Sequence, residues 1–404
     1  MTTHDSTTHD STIHPGGTAG PDGGPAAVPV ARPATLAEAV SALAGSTGRV
    51  LLRGTGTATD WAGRAEPADL VLDTTALSGV ITHNPGDMTV GVHGGTPLRE
   101  LNATLAEHGQ RVALDAARID RGATVGGLVA TADAGPAALV HGSPRDLVIG
   151  ATVVLADGTA ARTGGHVIKN VAGYDLAKLV HGSHGTLALI AEVVLRLHPV
   201  PPATATVRWP ARLPEAARAA AAVLASPLEP SAVEWCGDGL LVRLEGSAAA
   251  LGPRTERLLD LLGDSADGPP QRLAEVDAVA EWAEHAAVVD ARPDDAAMLR
   301  IGCRPSRLPG VLTELVHELG ASRVTAGLAT GVGTMALAAE PAAVARAHEI
   351  VHAAGGTSML RGRPAGSRAP GWGPAPSSIA VLRAVKAELD PEGRLGAGRF
   401  SPWM

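Results

Sequence analysis

Four glycine-rich segments interrupt short apolar strands in the first half of this chain, and they restrict its fold more than any other feature. They read RGTGT at 53–57, GATVGG at 122–127, HGSPRD at 141–146, and KNVAGYDL at 169–176 followed by HGSHGTLALI at 181–190. Glycine lets a backbone turn sharply and approach a ligand closely, and consecutive backbone amides in such a turn bind phosphate. The segments therefore predict a ligand-binding surface built from several loops, with RGTGT as its phosphate-binding turn.

Each segment taken alone also has a simpler interpretation. RGTGT is compatible with a plain tight turn, and Gly126-Gly127 with close packing of a helix. RGTGT only half matches the GxGxxG dinucleotide motif, because Thr59 stands at the third glycine position and no strong helix pattern follows. A Rossmann site is therefore disfavoured, and a nucleotide P-loop is disfavoured because its lysine is missing.

Taken together, GATVGGLVAT, GSPRDLVIGA and VIKNVAGYDLAKL resemble the FAD-binding domain of the vanillyl-alcohol oxidase/para-cresol methylhydroxylase (PCMH) superfamily. Within it, they resemble the FAD-binding E subunits of bacterial glycolate oxidase, over about residues 33–203. The resemblance implies that FAD is the cofactor and that the RGTGT turn binds its pyrophosphate. The cofactor-binding residues implied in this way are Arg53, Gly54, Thr55, Gly56, Thr57, Thr124, Val125, Gly126, Gly127, Thr131, Ser143, Gly185, Thr186 and Ile190.

Several positions depart from the family's pattern. Ala137 and Ala138 stand where related subunits carry arginines, and Ala188 replaces a usual glycine. The closing motif from Asp390 to Gly398 has Gly-Ala in place of Asn-Pro. FAD binding is still expected, but without an arginine contact at 137–138.

The sequence also predicts how FAD is held. Thr57 stands where family members that bond FAD covalently have a histidine, and residues 117–127 contain no cysteine that attacks the flavin ring. Threonine is too weak a nucleophile at neutral pH to form such a bond. We therefore expect non-covalent FAD.

The second half repeats a β-α-β-β-α pattern twice, which predicts an antiparallel sheet with helices on one face. The predicted fold class is α+β: a PCMH-type FAD-binding domain over 33–203, then an α+β, ferredoxin-like repeat domain over 204–404. The second domain resembles the C-terminal domain of FAD-linked oxidases and ends in a segment that returns to the first. PVPPA at 199–203 marks the boundary, and the polar, glycine-rich residues 1–28 predict a disordered tail.

Composition and residue spacing disfavour several classes of function. A net charge of -8 argues against nucleic acid as a partner. No apolar run reaches the 18 residues that a membrane span needs. Cys236 and Cys303 have no metal-ligand spacing, and the tail histidines His4, His9 and His14 have no fixed geometry, so no metal site is predicted. We expect a cytoplasmic protein, leaving open a peripheral position at the inner membrane through its partners.

By the same resemblance, the expected function is oxidation of a small 2-hydroxy acid, in a complex with a second flavoprotein and an iron–sulfur subunit. Such oxidation needs a base for the hydroxyl proton and a cation for the carboxylate. The sequence identifies neither: histidines are numerous in the first half, and the second half shows no cluster of histidines and acids. One alternative is a non-catalytic subunit that carries FAD for assembly or electron relay. A more remote alternative is an NADPH-linked reductase of the same superfamily, which the KNVAGYDL segment disfavours.

Overall fold

The computed structural model describes residues 27–167 and 173–404. The predicted tail lies almost wholly outside the described residues, as do residues 169–172 of the KNVAGYDL motif. Within the described part, the strands fall into two groups along the chain, and the second group begins at Ala203.

The first group surrounds the glycine-rich segments. Its strands are β1 (Val30–Ala31), β2 (Val50–Arg53), β3 (Leu70–Asp73), β4 (Val80–Asn84), β5 (Thr89–His93), β6 (Gln110–Arg111), β7 (Val148–Val154), β8 (Ala160–Gly164), β9 (Leu189–Arg196) and β10 (His198–Pro199). Its helices are α1 (Leu36–Ala44), α2 (Leu98–Ala106), α3 (Val125–Ala130), α4 (Ala138–His141), α5 (Pro144–Leu147) and α6 (Leu176–Val180). The strands form a parallel sheet β1-β3-β2, an antiparallel sheet β4-β5-β9-β7-β8, and the pair β6-β10.

Helix α1 shows how local sequence positions this group. The Thr35 hydroxyl accepts from the backbone N–H of Glu38 and caps the helix at its start. Ala39 and Leu43, four residues apart, lie on one face and are fully buried. They share an apolar core with β2, β3 and the end of β7. This core packs the parallel sheet, whose strand β2 leads into the RGTGT turn, against the antiparallel sheet.

The second group forms one eight-stranded antiparallel sheet. Its strands are β11 (Ala203–Pro210), β12 (Ala232–Cys236), β13 (Gly239–Gly246), β14 (Gln271–Arg272), β15 (Ala296–Gly302), β16 (Ser322–Gly327), β17 (Val332–Ala338) and β18 (Thr357–Gly362). Its helices are α7 (Leu213–Ala225), α8 (Ala248–Leu262), α9 (Glu275–Val289), α10 (Leu308–Leu319), α11 (Pro341–Ala353) and α12 (Ile379–Leu389). The strand order is β14-β11-β13-β12-β16-β17-β15-β18.

The two predicted rounds of β-α-β-β-α join edge to edge in this sheet. Glu234 of β12 stands opposite Gly327 of β16, so the hairpin of the first round pairs with that of the second. The α+β class is confirmed. Strands β14 and β18, which the sequence pattern did not predict, extend the sheet at its two edges.

The two faces of the large sheet differ in polarity. Helices α7, α8, α10 and α11 pack on an apolar face that includes Val233, Val242, Leu299 and Met335. The four helices of the two rounds thus lie on one face, as predicted, whereas α9, which lies between the rounds in the chain, covers the opposite face. Residues at alternate strand positions point to that second face and are largely polar. We call it the polar face and define it by Glu234, Arg243, Arg300, Thr325 and Thr334.

The C-terminal segment returns to the first group of strands. The backbone N–H of Val50 donates to Arg394 O, and Gly396 donates to Val50 O, so the segment runs beside β2. The Arg394 guanidinium donates to the carbonyl oxygens of Gly48 and Ala156. The last residues of the chain therefore help to hold the strand that carries the RGTGT turn.

Candidate cofactor cleft

A cleft opens where β2, the start of α3 and the start of β9 meet. Most of the predicted cofactor-binding residues line it. They are Arg53, Gly54, Thr55, Gly56, Thr57, Thr124, Gly126, Gly127, Thr131, Gly185 and Ile190.

The RGTGT turn offers backbone donors to this cleft. Gly56 has φ +78°, a conformation that favours glycine. A Cβ atom on Gly54 would lie 2.7 Å from the Thr124 hydroxyl, so the turn lies directly against the start of α3. Among the described residues, no acceptor pairs with the amides of Thr55, Gly56 and Thr57. Such unpaired amides are the groups that bind an anion.

The threonine hydroxyls are engaged within the protein. Thr55 donates to Gly122 O at 2.8 Å, and Thr131 donates to Gly127 O at 2.7 Å. The Thr57 hydroxyl accepts from Arg118 Nη1 at 2.7 Å. The donors that the turn presents to the cleft are therefore mainly its backbone amides.

Helix α3 reaches the cleft because glycines allow it to pack closely. A Cβ atom on Gly126 would lie 2.9 Å from Gly94 O, and one on Gly94 would lie 2.1 Å from Ile190 O. The Thr124 hydroxyl caps the helix by accepting from the Gly127 N–H at 3.2 Å. The paired glycines thus permit close packing, and they also form part of the cleft wall.

Three of the predicted residues lie outside the cleft wall. Val125 is buried in the apolar core of the antiparallel sheet. Ser143 caps α5 and exchanges hydrogen bonds with Asp146. The Thr186 hydroxyl donates to Ser183 O at 2.8 Å. Their contact with the cofactor stays a prediction.

A buried charge cluster borders the cleft, and it was not predicted. Arg118 donates to Asp133 at 2.8 Å, and Arg361 of β18 donates to the other carboxylate oxygen of Asp133. The Arg118 and Arg361 guanidinium groups lie over the Trp61 ring, at 4.8 and 3.9 Å from its centre. Burial alone raises the pKa of Asp133, but the cations of Arg361, Arg118 and Arg300 outweigh it and hold that pKa far below its usual value. Asp133 therefore stays ionised and joins the two groups of strands.

His184 is the histidine among the residues lining the cleft. Its φ is +51°, and its ring meets Trp372 and Phe400 edge-on, at centroid distances of 5.4 and 5.7 Å. Burial, followed by the charge of Arg399, lowers the pKa of His184 to about 3. The imidazole is therefore neutral at physiological pH.

A second cavity lies beneath α9, between the polar face and the loop at Ala134–Pro136. Ala134 directly follows Asp133 of the charge cluster, and Ala117 of this cavity directly precedes Arg118. Arg118 itself lines the cofactor cleft, so the cluster adjoins the lining of both spaces. Here the structure brings together His285 and Glu234, whose Nε2 and Oε2 atoms are 3.2 Å apart. This pair was missed because 51 positions separate its members in the sequence.

Neither a membrane span nor a metal centre is visible in the described residues. None of their helices is long and apolar enough to cross a membrane. Nor do they contain a group of three histidine, cysteine or acidic side chains suited to a metal ion.

Comparisons with known proteins support FAD binding in the first half of the chain. A family model described as "FAD binding domain" matches residues 25–164. The glycolate oxidase subunit GlcE of Escherichia coli K12 is 34% identical over 187 residues, which cover 46% of this chain and 53% of that protein. A mitochondrial cytochrome-type D-lactate dehydrogenase of Arabidopsis thaliana is 36% identical over 172 residues, covering 42% of this chain and 30% of that one. The chain thus matches about half the length, or less, of these relatives.

Solved structures extend the likeness to the whole fold. An alkyldihydroxyacetonephosphate synthase superposes with a TM-score of 0.64 over 91% of this chain and 75% of that one, at 16% identity. At such low identity the superposition shows a common fold alone. The prediction of an FAD-binding domain in the first half of the chain and of an α+β fold is confirmed.

Proposed function

We propose that this chain, whose residues 25–164 form an FAD-binding domain, holds one FAD non-covalently in the cleft and takes part in oxidising a small 2-hydroxy acid. The observation that carries the proposal is the RGTGT turn, which lines the cleft and whose amides at Thr55, Gly56 and Thr57 have no acceptor among the described residues. Gly54 lets the turn lie directly against Thr124, and Gly56 adopts the positive φ that the turn requires.

The residues that line the cleft fit FAD. The amides of Thr55, Gly56 and Thr57 would hold the pyrophosphate, and α3 and β9 would supply backbone on the remaining walls. FAD, when bound, supplies the acceptor for a hydride. The Arg118–Asp133–Arg361 cluster at the border of the cleft contains two guanidinium groups and only one carboxylate. This excess of positive charge favours an anionic ligand.

The substrate class is inferred from the relatives. Their names state glycolate oxidase and D-lactate dehydrogenase, and glycolate and lactate are both small 2-hydroxy acids. The GlcE relative and a Bacillus subtilis GlcD relative are named as subunits, which supports a multi-subunit enzyme. We accordingly propose a second flavoprotein and an iron–sulfur protein as partners.

Anaerobic mixing of the purified, flavin-loaded chain with glycolate or D-lactate tests the activity. Bleaching of flavin absorbance near its usual visible maximum is expected. The control is the same protein mixed with acetate, which has the carboxylate but no hydroxyl to oxidise. If neither acid bleaches the flavin, the chain alone is not the dehydrogenase.

A non-catalytic FAD carrier is the second candidate, and the subunit names of the relatives favour it. In that case the flavin would be reduced only when the partner flavoprotein is added. The same anaerobic experiment, repeated with and without the partner, separates the two functions.

A further inference from the structure

The backbone carbonyl of Thr57, the last residue of the RGTGT turn, accepts hydrogen bonds from two arginines. Arg121 Nη2 donates to it at 3.0 Å, and Arg292 Nη2 donates to the same oxygen. A carbonyl oxygen has two lone pairs, so both of its acceptor positions are occupied. Arg121 precedes α3, whereas Arg292 follows α9. The turn is therefore held from both groups of strands.

Asp290 connects this contact to the end of α9. Its carboxylate accepts from Arg121 Nε and, at 2.7 Å, from Arg121 Nη2, so the pair is bidentate. Asp290 is also the C-cap of α9, where the negative end of the helix dipole disfavours a carboxylate. Arg121 offsets this repulsion, so the end of α9 and the turn share one guanidinium group. We call Arg121, Asp290 and Arg292 the Thr57 clamp.

The contacts to the Thr57 oxygen also fix the peptide group between Thr57 and Ala58. In a trans peptide the C=O and the N–H point in opposite directions, so holding the oxygen sets the direction of the Ala58 N–H. That N–H has no acceptor among the described residues, and Ala58 lines the cofactor cleft. The preceding peptide is fixed likewise, because Gly56 O accepts from the N–H and the hydroxyl of Thr59, at 3.2 and 2.9 Å.

We propose that the Thr57 clamp positions the phosphate-binding turn, adds the Ala58 amide to its anion donors, and couples occupancy of the cofactor cleft to the end of α9. This inference rests on the proposed binding of FAD. Arg121 and Arg292 do not line the cleft, so they act through the turn as positioning residues. Because coupling between two sites is reciprocal, bound FAD stabilises the last turn of α9, the helix that covers the second cavity.

The first measurement is the rate at which the flavin-loaded chain releases FAD on dilution, seen as a rise in flavin fluorescence. Arg292→Gln should accelerate release by about 10- to 100-fold, the range expected when a hydrogen bond from a charged donor is lost. Arg292→Lys restores the charge but not the planar guanidinium. Its release rate should lie between those of Arg292→Gln and the parent.

Arg111→Gln is the matched control. Arg111 donates to Glu245 at 2.5 Å, so this change also breaks an ion pair between the two groups of strands. The Arg111 hydrogen bond goes to Glu245 and not to the turn, so FAD release should stay close to that of the parent. Were the clamp only a tie between the two groups, Arg292→Gln and Arg111→Gln would act alike.

Hydrogen exchange at the end of α9 gives the reciprocal measurement. The backbone amides of Asp290 and Ala291 close its last turn. They should exchange more slowly in the flavin-loaded chain than in the flavin-free chain, and Arg292→Gln should abolish this difference. Arg111→Gln should preserve it. A purely structural role of Arg292 would change exchange equally with and without FAD.

The outcomes separate this inference from the proposed activity. Unchanged FAD release and unchanged α9 exchange in Arg292→Gln would overturn the Thr57 clamp, as would equal acceleration of release by Arg292→Gln and Arg111→Gln. Failure of glycolate and D-lactate to bleach the flavin would contradict the activity and leave the clamp standing. A parent chain that takes up no FAD would overturn both.

Discussion

Arg118 donates to Asp133 at 2.8 Å, and each of these side chains is only 2% exposed. The second oxygen of the same carboxylate accepts from Arg361, which belongs to the large sheet. One ionised carboxylate therefore joins the cofactor cleft, the second cavity and both groups of strands. Because a buried charge is tolerated only when it is paired, these three residues depend on one another.

Removing the carboxylate should destabilise the fold. Asp133→Asn leaves Arg118 and Arg361 without their counter-ion, and breaking a buried pair in this way typically costs about 3–5 kcal/mol. Urea unfolding at neutral pH measures the loss. The control is Asp157→Asn in an exposed turn, which should change the free energy of unfolding by less than about 1 kcal/mol. Equal, small effects of both changes would show that Asp133 is not the shared counter-ion.

Gly56→Asp should abolish FAD retention. The new side chain would be strained at φ +78°, and its carboxylate would repel the phosphates from the turn. Gly109→Asp is the matched control, because Gly109 also has positive φ, with open space around it, and lies outside the cleft. Flavin absorbance per chain after gel filtration gives the result. Wild-type occupancy in Gly56→Asp would mean that the phosphates bind elsewhere.

His184 should make the fold sensitive to mild acid. Its pKa falls from 6.5 to about 3 on folding, so its contribution is complete above pH 6.5 and is lost as the pH falls towards 3. Between pH 6.5 and pH 5 the loss is about 2 kcal/mol. His184→Asn, which tolerates the positive φ, should lose correspondingly less stability over this interval. Parallel pH dependence of urea unfolding in both proteins would contradict the assignment.

The RGTGT turn and the FAD-binding domain were predictable because their information is local. A strand followed by glycines predicts a sharp turn from neighbouring residues alone. The order of the motifs then identified the domain, which the family match confirmed.

The Arg118–Asp133–Arg361 cluster and the His285–Glu234 pair were not predictable in the same way. Their members are brought together only when strands far apart in sequence meet in one sheet. A signal was nevertheless present: Arg243 and Arg300 each stand at the centre of an apolar strand, where alternation assigns them to one face of the sheet. Arginine at such a position costs free energy unless it has a partner or a ligand.

The mode of FAD attachment gives a further prediction. The Thr57 hydroxyl accepts a hydrogen bond from Arg118. Neither Thr57 nor its neighbours in the turn is a nucleophile towards flavin. Precipitation with trichloroacetic acid should therefore release all of the flavin into the supernatant. Flavin fluorescence that migrates with the chain on a denaturing gel would show a covalent bond.

The central claim is that the cleft between β2, α3 and β9 holds FAD, and the flavin content of the purified chain tests it most directly. The protein should be yellow, and chromatography of the acid supernatant should give close to one FAD per chain, with no FMN. A colourless chain that takes up no FAD on incubation, or one that releases FMN alone, would contradict the account.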